Sequence, residues 1–164
     1  MNYDNLPEDL KILYDFHLNN GTITIKDGTY TLQQILDKND KWWDEQHDFI
    51  QFLYPTDEIS KFNNKAPVLT KEFVDFFKNS HGTVNINLYY RFRRFIVDNQ
   101  WLTISFNHNY LRFSRVLRNI ALLVNNEVSL SVLQGYNKEF NLLTQDKVKS
   151  FHIWLDSTQA KFED

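Results

Sequence analysis

His47 and Asp48 are adjacent in the stretch His47-Asp-Phe-Ile-Gln-Phe-Leu-Tyr-Pro55. An adjacent His-Asp pair can supply half of a metal centre. In a metal-dependent phosphohydrolase of the His…His-Asp…Asp type, such ligands bind the ion that activates a water. His17 upstream and Asp98 downstream could complete the set. The spacing alone is weak support, because no further cluster of His or acidic residues accompanies the pair. The competing reading puts His47 at the edge of an apolar face and Asp48 in solvent, and the pattern favours it.

Arginine is the second candidate for chemistry. All six arginines fall within the 28 residues from Arg91 to Arg118. From Asn79 to Asn126 the only acid is Asp98, so this segment carries +5 while the rest of the chain carries −8. A guanidinium forks onto phosphate or carboxylate with two hydrogen bonds. Arg112, Arg115 and Arg118 step by three down one flank of a helix, and Arg91 and Arg94 share a side of the helix before it. These five residues are the candidate site for an anionic ligand or a nucleic acid. The alternative is a solvated flank bridged to acids, and for any single arginine that alternative is favoured. The overall charge of −3 argues against a general nucleic-acid binder.

Other chemistries lack support. Cysteine is absent, which removes disulfides, thiolate nucleophiles and cysteine-based zinc sites. No Gly-rich phosphate loop and no Gly-x-Ser-x-Gly elbow occurs. His108 lies in Asn107-His-Asn109, where an N-cap role for Asn107 explains the pattern better than a nuclease motif. No cofactor is expected, and an enzyme is the less favoured reading. The first residues lack a basic stretch followed by an apolar core, and no apolar run approaches the roughly 20 residues of a membrane span. The expected product is a soluble cytoplasmic or nuclear protein.

The positioning elements follow from periodicity. With 164 residues, 42% apolar and 16% aromatic, the chain can bury a core and is expected to form one domain over 1–164. Only 4 Gly and 3 Pro interrupt it, which favours long helices and short links. Leu6–Leu18 reads as a helix ended by Asn19-Asn-Gly21. Residues 22–30 read as a short extended segment or hairpin around Lys26-Asp-Gly28. Thr31 caps a short helix. A helix starting at Asn39 or Asp40 should run through the His-Asp stretch to Pro55. Projecting its Trp42–Tyr54 portion places Asp48 and Phe52 on the polar side and Gln46 in the apolar arc. Thr70 should cap Lys71–Asn79. Further helices are expected around Leu88–Ile96 and over Asn107–Val124, Glu127–Leu142 and Gln145–Gln159. The expected fold is all-α: an irregular or orthogonal bundle of about six to eight helices.

Three motifs lie in register: Asp48-Phe-Ile-Gln-Phe-Leu-Tyr-Pro55, Phe62-Asn-Asn-Lys-Ala-Pro-Val-Leu-Thr70, and Asn107-His-Asn-Tyr-Leu-Arg-Phe-Ser-Arg-Val-Leu-Arg118. In order and spacing they resemble the conserved domain of opioid growth factor receptors over roughly residues 13–156. Phe52 stands where that family usually has Trp, and Lys65 is a mild departure in the loop. The resemblance implies a non-enzymatic binding or regulatory domain of receptor-like type, found in the family at the nucleus, whose ligand is a peptide, a protein or an anionic group. No catalytic residues are associated with the family. The motif positions His47, Asp48, Gln51, Pro55, Pro67, Thr70 and Asn107 carry over as structural residues. A metal-dependent hydrolase using His47 and Asp48, or a nucleic-acid-associated regulator using Arg91–Arg118, are the alternatives.

Overall fold

The computed structural model describes residues 1–81, 85–144 and 146–163. The fold is all-α. Among the described residues it has nine α-helices, six of them ten residues or longer, and one two-stranded hairpin. The chain groups into two compact units, Met1–Arg91 and Phe92–Asp164.

In the first unit a short turn, Tyr3–Asn5, leads into α1, Glu8–Leu18. Leu10, Leu13, Tyr14 and Phe16 are buried, as the three- and four-residue steps require. The helix ends where the Asn-rich stretch predicts, but Asn20 rather than Gly21 takes the left-handed conformation, with φ 55°. Gly21 is needed for space: a Cβ there would lie 2.8 Å from the Cβ of Asp15.

The hairpin pairs β1, Thr22–Ile25, with β2, Gly28–Thr31, through a two-residue turn at Lys26 and Asp27. Ile23 and Ile25 are buried and Thr22 and Thr24 exposed, the period of a strand covered on one face. The helix α2, Leu32–Leu36, follows, with Thr31 and Gln34 forming a reciprocal capping box.

The next segment departs from expectation. Instead of one helix to Pro55 there are two: α3, Asp40–Glu45, capped by Asn39, and α4, Ile50–Leu53. Gln46–Phe49 is not helical, and Gln46 is half-exposed. A continuous helix would carry Phe49 and Phe52 to different sides. Breaking it buries both, together with Trp43, Leu53 and Tyr54. Apolar burial and the side-chain hydrogen bonds described below outweigh local helix propensity here. Phe52 therefore offers no surface for a partner.

After a loop, α5, Lys71–His81, begins with Thr70 Oγ1 accepting the Phe73 amide at 3.1 Å. It buries Phe73, Val74 and Phe77. The helix α6, Asn87–Asn99, contributes its first residues to this unit.

In the second unit the remainder of α6 buries Phe92, Phe95 and Ile96. The helix α7, His108–Leu123, is the longest, and Asn107 caps it by accepting the Asn109 amide at 3.0 Å. It packs on α8, Asn126–Phe140, and on α9, Val148–Ser157. Their core is aromatic: the Phe113 ring lies 4.7 Å from Tyr136 and 5.1 Å from Trp154. Trp154 Nε1 donates to the Tyr110 carbonyl at 3.0 Å, so the indole is buried without stranding its polar group. Gly135 lies exposed within α8, with open space where a Cβ would point. The expected start of the last helix at Gln145 lies outside the described residues.

Candidate functional site

The His-Asp stretch sits where the helix breaks, and the break exposes backbone groups that neighbouring side chains bind. Asp48 Oδ2 accepts the Lys26 amide of the hairpin turn at 2.9 Å. Asn63 Nδ2 donates to the Asp48 carbonyl at 2.9 Å. Gln51 Nε2 donates to the His47 carbonyl and to Ser60 Oγ, both at 3.1 Å. Asp48 is thus a tie to the hairpin rather than a solvated carboxylate. His47 is exposed and stacks on Phe62, with ring centres 5.8 Å apart.

The loop 56–70 lies over this segment. Thr56 and Pro67 are buried, and the Thr56 carbonyl accepts the Leu69 amide at 2.8 Å, which closes the loop at its base. Pro55 is buried where α4 stops. The loop is therefore anchored at its base, at Ser60 and at Asn63. Its apolar side chains Ile59 and Phe62 nevertheless face outward, 75% and 52% exposed. Both lie on the same anchored loop. Sequence reasoning missed Ile59 and Phe62, because no periodic pattern marks exposure in an irregular loop.

His17 belongs to the same region by a different bond. Its Nε2 donates to the Phe52 carbonyl at 2.7 Å, since a carbonyl can only accept. Its ring meets Phe16 and Phe77 edge-on, at 5.3 and 6.2 Å. Burial of the ring pulls its pKa down to about 4, with the Phe52 hydrogen bond acting in the opposite direction. Among the described residues no three His, Asp or Glu side chains stand close enough to hold a metal ion.

The arginines do not form one exposed set. In the first unit Arg91 is buried. Its Nε donates to the Leu36 carbonyl at 3.1 Å, and its Nη2 to the Lys38 carbonyl at 3.0 Å and Asp40 Oδ1 at 2.7 Å. Its guanidinium also lies 4.3 Å from the Trp43 ring centre. In the second unit Arg112 is buried with its guanidinium 5.8 Å from the Phe95 ring, while Arg115 and Arg118 are half-buried. Arg93 pairs with Glu139 at 2.5 Å, and Arg94 is exposed. Two of the five candidates, Arg91 and Arg112, are thus buried inside the fold, Arg91 through directed hydrogen bonds and Arg112 beside the Phe95 ring. A long side chain readily folds its stem along aromatic surface, which takes Arg91 and Arg112 off the open flanks that their spacing suggests.

No helix among the described residues is long and apolar enough to cross a membrane. No protein-family model, curated protein or solved structure is significantly similar to this chain.

Proposed function

We propose that the chain is a non-enzymatic binding domain of the opioid growth factor receptor type, and that the loop 56–70 binds an apolar peptide segment of a protein partner. The observation that carries the reading is the pair Ile59 and Phe62, exposed on a loop anchored through Ser60, Asn63 and the Thr56–Leu69 bond. A pre-ordered loop loses little entropy on binding, so apolar contact there converts efficiently to affinity. The family part of the reading rests on the three sequence motifs. An anionic ligand is the less favoured ligand class, because Arg91 and Arg112 are buried.

The test is a displayed-peptide selection against the purified protein, with the double variant Ile59→Ser, Phe62→Ser as counter-selection. Peptides that bind the parent and not the variant, with unchanged thermal unfolding of the variant, are the expected result. Peptides that bind both equally, or no enrichment at all, overturn the loop as the binding surface. An opioid peptide, the ligand for which the resembled family is named, is titrated in parallel with amide shifts read at residues 57–66. If it fails while other peptides bind the loop, the binding role stands and the receptor-type ligand falls.

A further inference from the structure

The chain contains one Asn-Gly step, Asn20-Gly21, and it closes α1. Asn20 is exposed and held in the left-handed region. The Gly21 amide donates to the Asp15 carbonyl at 2.9 Å. Asp15 secures the turn a second way: its carboxylate accepts from Asn19 Nδ2 at 3.0 Å and from the Tyr3 hydroxyl at 2.7 Å. An asparagine followed by glycine is open to internal attack, because no side chain shields the next amide nitrogen.

We propose that Asn20 is a spontaneous deamidation site, and that the Asp15-anchored turn holds the reaction in check in the folded chain. The Gly21 nitrogen loses its proton to solvent and attacks Asn20 Cγ. A nitrogen–carbon bond forms, the Cγ–Nδ2 bond breaks, and ammonia leaves with a proton taken from water. Water then opens the cyclic imide to an aspartyl or isoaspartyl linkage, with no change of oxidation state. In the folded turn the hydrogen on that nitrogen is held by the Asp15 carbonyl. Reaction therefore needs local opening. The product strains the turn that restrained its formation. It places a new negative charge near Asp15, and the isoaspartyl form lengthens the backbone where even a Cβ on Gly21 would lie 2.8 Å from Asp15 Cβ.

The chain carries its own contrast at Asp27-Gly28. There the carboxylate accepts from the Tyr30 hydroxyl at 2.5 Å and from Trp42 Nε1 at 2.8 Å. Hydrogen bonds that favour the ionised form leave a poor electrophile, and there is no amide to expel. Isomerisation is expected at Asn20 and not at Asp27.

Incubation at mildly alkaline pH, folded and in denaturant, followed by fragmentation mass spectrometry of the peptide Ile12–Lys26, reads the reaction directly. The amide-to-acid mass gain should map to Asn20 rather than Asn19, at least roughly tenfold faster in the unfolded chain. Asp15→Ala and Asn19→Ala should each speed the folded-state reaction and leave the unfolded rate unchanged. No gain at Asn20 in the unfolded chain removes the site. Equal folded and unfolded rates, or folded Asp15→Ala and Asn19→Ala both reacting at the parent rate, remove the check.

Discussion

The segment Asp40–Pro55 and the helix α7 are both rich in apolar and aromatic residues, and both begin with an asparagine cap. They hold themselves in different ways. The helix α7 runs unbroken for 16 residues and presents Tyr110, Phe113, Leu117 and Ile120 to its neighbours. The segment 40–55 abandons its ladder after Glu45, and its freed carbonyls at His47 and Asp48 are bound by Gln51 and Asn63. Both regions pack a core and both accept side-chain bonds on their carbonyls, but only in segment 40–55 do such bonds stand in for a broken helix ladder. Directed bonds fail singly when one partner is removed, whereas packing fails in proportion to the volume lost.

The sharpest way to break the comparison is at the two centres. Phe113→Ala should cost about 3–5 kcal/mol in denaturant unfolding, because it empties the space between Phe92, Tyr136 and Trp154. Arg91→Ala should cost about 2–4 kcal/mol, since it strips the donors from two carbonyls and a carboxylate in or near the protein interior. Arg94→Ala, at an exposed position, should stay within about 0.5 kcal/mol. If Arg91 and Arg94 proved equivalent, the directed-bond account of the first region would be wrong.

A gentler probe is pH. The His17 pKa falls from 6.5 to about 4 on folding. Between those values the unfolded chain holds the proton and the folded chain does not. Stability from this group is complete above the unfolded value and falls as pH drops through the window, by up to about 1.4 kcal/mol per unit. His17→Asn should flatten that slope in thermal unfolding measured across the window. An unchanged slope would assign the acid sensitivity to other groups.

The same contrast explains what was legible in the sequence. The α7 boundaries, the Thr31, Thr70 and Asn107 caps and the hairpin at 22–31 were readable because each depends on residues close in the chain. The break at Gln46–Phe49 was not, because its causes are Lys26 and Asn63, 22 and 15 residues from Asp48. Ile59 and Phe62 escaped for the same reason: their exposure is decided by where the loop is tied. The arginines were legible as a cluster in sequence but not as separate environments. Whether a guanidinium reaches water or lies along Trp43 or Phe95 depends on residues brought close only by folding.

Gly135 has a practical consequence. A glycine in an exposed helix interior, with nothing near the missing Cβ, leaves stability unused. Gly135→Ala should raise stability by about 0.5–1 kcal/mol and keep every contact of α8. Chains carrying it would start further from the unfolding threshold. Variants such as Phe113→Ala could then be purified and measured instead of being lost in expression.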